Sequence, residues 1–323
     1  MSNDKKTVFV TGATGKIGRY LVPRLLSDGF SVKVLVRKNN FPLLDDERLQ
    51  IFEGDITDKC LIKEAIQGCD YVFHLVVYQN NNDKRIDEFR HVNVEGTKTL
   101  LDACLGSSVK NIVYVSTAMV FKPTGKEQKG EDWVQKDICV EDFYVQTKIE
   151  ALSYVRQLKD QLPIAIVYPT AVINLEDFSL TRPVLTGIQK FLWEKVGGGI
   201  PGGLLCLIGP KNRIFNYVIV EDLIDGIILA GLRGIPGEEY ILGGENISVE
   251  KYLLAAGKRL NKKIFPFRIP CLPFQMVHMC RHIIPIPKLV SLIAKNARVD
   301  MCFSSEKAKK TLGYVPNLRM GSS

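Results

Sequence analysis

Between Val8 and Gly18 the chain reads Val-Phe-Val-Thr-Gly-Ala-Thr-Gly-Lys-Ile-Gly, an apolar run that enters three glycines spaced as Gly12, Gly15 and Gly18. A backbone with this pattern has to leave a strand, turn sharply and enter a helix within a few residues. Gly12 permits the turn, Gly15 lets the backbone approach a pyrophosphate, and Gly18 lets the helix lie close against a sheet. The context fits: residues 7–10 are β-branched and apolar, 17–26 carry helical periodicity, and 31–36 supply a second strand. The N–H groups of the first helical turn, aligned with the helix dipole, would then face an anion. Gly12, Thr14, Gly15, Lys16, Ile17 and Gly18 are therefore a candidate cradle for a dinucleotide.

From Thr7 to about Pro169 strand and helix patterns alternate, as a parallel sheet requires. Six strands are readable, at 7–10, 31–36, 49–53, 71–76, 111–116 and 164–168, with helical patterns at 17–27, 61–66, 92–105 and 143–158. They predict an α/β, doubly wound parallel sheet in the order 3-2-1-4-5-6, with ligand at the carboxyl ends of the strands. After Pro169 the alternation breaks down. The glycine-rich stretch 197–203 reads equally as a mobile loop over a site or as an inert connection. A strong helical pattern returns at 220–233, opened by Glu221 and Asp222, and is expected to pack back on the sheet. Residues 1–170 with 214–235 thus form a dinucleotide-binding domain, and 171–213 with 236–323 a smaller, discontinuous C-terminal substrate domain.

The 323 residues suffice for a substantial core, and no run reaches the roughly 18 apolar residues of a membrane span. The polar start, 1–6, has no signal-peptide core behind it, so a cytoplasmic location is expected. Eight scattered cysteines without a Cys-x-x-Cys pair read as free, mostly buried thiols. The net charge of +8 gathers at Lys258, Arg259, Lys262 and Lys263 and at Lys307, Lys309 and Lys310. Both clusters fall on amphipathic helical patterns and read as solvated faces; no nucleic-acid module accompanies them, and none is expected to bind. His278, His282 and Cys280 offer too few ligands for zinc, so no metal is expected. The Ile-, Pro- and Phe-rich segment 264–294 reads as core of the smaller domain, with an apolar substrate pocket or peripheral membrane contact as rival readings.

The strand at 111–116 ends Ser116-Thr117, and the helix at 143–158 opens Phe143-Tyr144-Val145-Gln146-Thr147-Lys148. Tyr144 and Lys148, four apart, share a helix face. An ammonium near a phenol favours the phenolate and would lower its pKa toward a working range for proton transfer. Tyr144 would then exchange a proton with a carbinol or carbonyl oxygen while Thr117 hydrogen-bonds that oxygen.

On these motifs the chain resembles the extended short-chain dehydrogenases/reductases, the Rossmann-type superfamily of nucleotide-sugar epimerases and dehydratases, dihydroflavonol reductases and 3β-hydroxysteroid dehydrogenases. The resemblance covers nearly the whole length. It implies Thr117, Tyr144 and Lys148 as catalytic residues, with Tyr144 and Lys148 also touching the coenzyme. It implies adenine contacts at Asp55 and Ile56 in Gly54-Asp55-Ile56-Thr57-Asp58, and nicotinamide-ribose contacts at His74 and Leu75. Asn93, Ser116, Tyr168 and Pro169 complete the implied coenzyme contacts. The segments 303–308 and 312–316 resemble the family's closing motif, and the helices at 92–105 and 143–158 are where relatives form homodimers.

Coenzyme choice rests on Val36-Arg37-Lys38, which offers no carboxylate for a ribose 2′-hydroxyl and two cations for a 2′-phosphate. NADP is expected rather than NAD. The run 168–175, Tyr-Pro-Thr-Ala-Val-Ile-Asn-Leu, departs from the Arg-Pro loop of relatives, and no nucleotide-sugar signature stands out. The expected activity is therefore interconversion of a secondary alcohol and a ketone on a small to medium, rather apolar substrate. An epimerase or dehydratase, and a non-catalytic NADP-binding regulatory or assembly protein, are the alternatives.

Overall fold

The computed structural model describes residues 6–37, 46–79, 85–133, 142–175, 207–208, 212–259, 268–269 and 299–317. Seven parallel strands form the main sheet: β1 (Thr7–Thr11), β2 (Ser31–Val36), β3 (Leu49–Glu53), β4 (Tyr71–His74), β5 (Asn111–Val115), β7 (Ile164–Pro169) and β11 (Glu239–Leu242). Their order is β11-β7-β5-β4-β1-β2-β3. The six strands read from sequence thus take their expected places, and β11 adds a seventh beside β7. That strand lies in the stretch assigned by sequence to the smaller domain; four residues behind a Pro-Gly turn are too few to show a period.

Both faces of this sheet are buried, and the alternation along each strand shows why. In β1, Val8 and Val10 enter one core and Phe9 the other; in β5, Val113 and Val115 face the first, Ile112 and Tyr114 the second. The first core is closed by α1 (Gly18–Ser27), and the second by α2 (Lys59–Ile66), α4 (Gly96–Cys104) and α5 (Phe143–Gln157). A short α3 (Ile86–Arg90) and a π-helical turn, His91–Glu95, run directly into α4, so the single helix expected at 92–105 is a composite. Helix α6 (Val220–Arg233) packs back on the first core, as expected, placing Gly231 against the Phe73 ring where a Cβ would stand 2.7 Å from Cζ.

A second sheet, absent from the sequence reading, has the order β12-β10-β14-β6, built from β6 (Gly125–Lys129), β10 (Ile214–Ile219), β12 (Glu245–Ser248) and β14 (Met301–Phe303), with β8 (Ala171–Ile173) paired to β10. Two-residue strands β9 (Leu207–Ile208) and β13 (Arg268–Ile269) pair separately. Ile173, Phe215, Tyr217 and Tyr252, the last from α7 (Val249–Arg259), form a third core. Helix α8 (Glu306–Leu312) carries Lys307 and Lys309, which pair with Glu238 and Glu306, as a solvated face would. Of the four cysteines described, Cys69, Cys104 and Cys302 are buried and Cys60 is exposed; all are free. Among the described residues no helix is long and apolar enough to cross a membrane. The stretch 197–203, the histidines His278 and His282, and 264–294 apart from β13 lie outside the described residues.

Candidate active site

The sheet reverses direction of construction between β1 and β4, whose ends pair Thr11 with His74. Here Gly12 takes φ +75°, and a Cβ on it would stand 2.7 Å from the Val76 nitrogen. Left-handed backbone and lack of space both demand glycine. Gly15 N donates to Gly12 O at 2.9 Å, and a Cβ on Gly18 would stand 2.2 Å from that same oxygen. Thr14, Gly15 and Lys16 are exposed around the turn and Ile17 is half-buried. Helix α1 has no side-chain cap and no acid in its first turn, so nothing of its own opposes an anion there.

His74 is buried, 1 % exposed, with Nδ1 2.8 Å from Thr11 Oγ1 and Nε2 2.9 Å from Thr97 Oγ1. Thr97 donates its hydroxyl proton to Asn93 O at 2.7 Å. The Thr97 oxygen must therefore accept from Nε2–H, which leaves Nδ1 to accept from Thr11. Burial, with Lys148 nearby, holds the imidazole neutral and pushes its pKa down to about 3. Both ring nitrogens are thus committed to threonines.

Asn93 is likewise occupied: its amide brackets the Tyr78 backbone and reaches Thr147. Asp55 accepts from the Thr57 nitrogen and hydroxyl and lies 3.4 Å from His91 Nε2, while Ile56 packs under Gly96. Tyr168 gives its hydroxyl to Glu239 at 2.6 Å and receives Arg156 at 3.1 Å, beside Pro169 in register with Leu242. Arg37 is exposed at the end of β2; Lys38 lies outside the described residues.

The proposed catalytic groups meet at the carboxyl end of β5. Thr117 accepts from Met119 N through Oγ1 at 3.2 Å, which leaves its O–H free to turn toward Tyr144, whose phenol it draws toward the ionised form. Helix α5 starts where it does because Asp142 caps it, accepting from Tyr144 N at 2.9 Å and Val145 N at 3.4 Å. Asp142 was not singled out in the sequence, although an Asp just before an apolar helical run is a start signal.

One turn on, Lys148 is 3 % exposed; Nζ donates to Val115 O at 2.9 Å and lies 4.9 Å over the Tyr114 ring. Burial pushes its pKa down to about 7. The Tyr144 phenol is pushed up to about 12 by burial, with Thr117 pulling the other way and Asp142 adding to the rise. The ammonium-lowered phenol expected from the Tyr–Lys spacing is not what the protein alone displays: Lys148 points under the strand end to a carbonyl, and Tyr144 is held as the neutral acid.

A dinucleotide fits this edge on two structural grounds. The Gly12 turn is a cradle that any Cβ would fill, and Ser116 Oγ is buried at the end of β5 with no partner among the described residues. The model of the NAD dependent epimerase/dehydratase family matches residues 8–243. A 3 beta-hydroxysteroid dehydrogenase/Delta 5-->4-isomerase of Mycobacterium tuberculosis is 28% identical over 96% of this chain and 86% of its own. The mouse (Mus musculus) sterol-4-alpha-carboxylate 3-dehydrogenase, decarboxylating, is 26% identical over 98% of this chain and 88% of its own. Among solved structures, DesIV, a dTDP-glucose 4,6-dehydratase from Streptomyces venezuelae with NAD and TYD bound, superposes with a TM-score of 0.72 at 22% identity, covering 97% of this chain and 92% of that one. Because the family match runs from the glycine turn to the last strand of the main sheet, the chain belongs to the NAD-dependent epimerase/dehydratase family, in the extended short-chain dehydrogenase/reductase branch.

Proposed function

We propose that the protein is an NADP-dependent oxidoreductase that interconverts a secondary alcohol and a ketone on a rather apolar organic substrate. The observation that carries this reading is the convergence at the carboxyl end of β5 of the Thr117 hydroxyl, the Tyr144 phenol that responds to it, and the buried Lys148, which bonds Val115 O one helical turn beyond Tyr144. A nicotinamide coenzyme, which the Gly12 turn would hold, would supply or accept the hydride. Tyr144, held as the neutral phenol, donates a proton to the carbonyl oxygen during reduction and recovers it in the reverse direction. Thr117 hydrogen-bonds the same oxygen and fixes it against the phenol. Lys148 holds the nicotinamide ribose, and its positive charge offsets that of a forming phenolate.

The 2′-phosphate of NADP would meet the exposed Arg37, with no carboxylate beside it in Val36-Arg37-Lys38 to favour a free 2′-hydroxyl. The names of the mycobacterial and mouse relatives, both dehydrogenases of sterol-type alcohols, support an apolar substrate.

A screen of ketones and alcohols, read by the absorbance of reduced nicotinamide, tests the reaction. Turnover with wild type and a loss of about 10²–10⁴-fold in Tyr144→Phe, with coenzyme affinity kept, is the expected result. Full activity in that variant removes Tyr144 from the mechanism. Tightly co-purifying coenzyme with no net redox change would move the assignment to an epimerase. Arg37→Ala should weaken NADP about tenfold or more and leave NAD unchanged; tighter binding of NAD by wild type overturns the coenzyme assignment.

A further inference from the structure

The Lys148 ammonium lies over the Tyr114 ring, 4.9 Å from its centroid, in a place where water does not reach: Tyr114 is 0 % and Lys148 3 % exposed. The hydroxyl of Tyr114 plays no part in this, since it is buried without a hydrogen-bond partner among the described residues and Nζ bonds to Val115 O instead. Among the described residues no carboxylate pairs with Lys148. From β4 the titratable group nearest this pair is His74, whose ring stacks on Tyr114 at 5.8 Å and stays neutral; from β5 it is Tyr114 itself. The ammonium is therefore left with one carbonyl and one aromatic face.

We propose that Tyr114 is a positioning residue, whose ring face seats the charged form of Lys148 beneath the site. A desolvated ring face attracts a cation more strongly than an exposed one, and the carbonyl of Val115 alone sets only one of the ammonium's three N–H directions. Burial already drives Lys148 toward its neutral form, with a pKa of about 7, so the ring's contribution falls where a working enzyme would feel it. The inference rests on the reading of Lys148 given above and adds to it the group that keeps the amine protonated and aimed.

The test follows Lys148 directly, by NMR of isotope-labelled lysine in the folded protein, with the signal assigned by its loss in Lys148→Met. The alkaline limb of kcat/KM is recorded in parallel. Tyr114→Leu should move both the titration midpoint and the limb down by about one pH unit, while Tyr114→Phe keeps the midpoint near wild type. Phenylalanines of increasing fluorination at position 114 keep the ring's shape and weaken its face, so the midpoint should fall stepwise; this series decides the matter if Tyr114→Leu does not fold. A midpoint indifferent to fluorination overturns the proposal, even if turnover needs Lys148. A midpoint that follows the ring while Lys148→Met retains turnover supports the seat and overturns the catalytic reading instead.

Discussion

Asn93 Nδ2 donates to Thr147 Oγ1 at 2.9 Å, tying the π-helical turn His91–Glu95 to the helix that carries Tyr144 and Lys148. The same amide accepts from Tyr78 N at 2.7 Å and donates to Tyr78 O at 3.2 Å, so the chain leaving β4 is pinned as well. Three segments around the site meet on one side chain. Asn93→Ala removes both bonds between the Asn93 amide and the Tyr78 main chain and should lower stability by about 1–3 kcal/mol. Because α5 loses its tie beside Tyr144, kcat should fall more than coenzyme affinity. Thermal unfolding and steady-state kinetics check both; unchanged kcat would leave Asn93 a purely structural staple.

Gly12 and Gly29 both take positive φ, +75° and +89°, but only Gly12 has backbone where a side chain would go. Gly29→Ala should cost about 1–2 kcal/mol, the strain of a left-handed residue. Gly12→Ala adds a contact of 2.7 Å with the Val76 nitrogen and should cost more, while also disrupting the coenzyme turn. Melting temperatures and coenzyme titration of the pair separate strain from crowding. Equal loss in the two variants would mean that the strand end of β4 yields easily.

His74 sets an acid limit on stability. Its pKa is about 6.5 in the unfolded chain and about 3 when folded, so between these values the unfolded state binds more protons. Stability is fully present above pH 6.5 and is lost as the pH falls toward 3, with a slope of up to about 1.4 kcal/mol per pH unit from this one group. His74→Gln, which does not titrate, should flatten denaturant midpoints across that window. An identical acid slope in the variant would show that other groups dominate acid unfolding.

The glycine turn and strands β1 to β5 and β7 were legible because each is a local pattern: Thr7–Thr11 and Ser31–Val36 are short runs rich in valine, and Gly12 is fixed by its own backbone. The second sheet was not, for a physical reason. Gly125–Lys129 is the polar string Gly-Lys-Glu-Gln-Lys, mostly exposed, and is a strand only because β14 pairs with it from far along the chain. In the site, spacing placed Tyr144, Lys148 and Thr117 on adjoining elements, yet it did not foretell that His74 and Asn93 spend their polar atoms on threonines and on main chain. That outcome depends on Thr11, Thr97 and Thr147, three hydroxyls brought from three elements by the fold.

Lys148 carries a cost that its removal should expose. Below about pH 7 the amine is charged in both states, and the folded protein bears the penalty of a buried ammonium held by one carbonyl and a ring. Between about 7 and the ordinary lysine value near 10.4 the folded amine is neutral while the unfolded one keeps its proton, so wild-type stability should rise with pH. Lys148→Met places an apolar chain of similar length in the same slot and should be more stable than wild type at pH 6, by about 1–2 kcal/mol, with the advantage shrinking as the pH rises. The same variant should have lost turnover, since the charge that offsets a phenolate at Tyr144 is gone. A group that weakens the fold and is kept for chemistry gives this pairing of gained stability and lost activity, whereas a group kept for structure gives the reverse. Chemical denaturation of both proteins at several pH values decides between them, and a Lys148→Met protein less stable than wild type at pH 6 would count the lysine as structural.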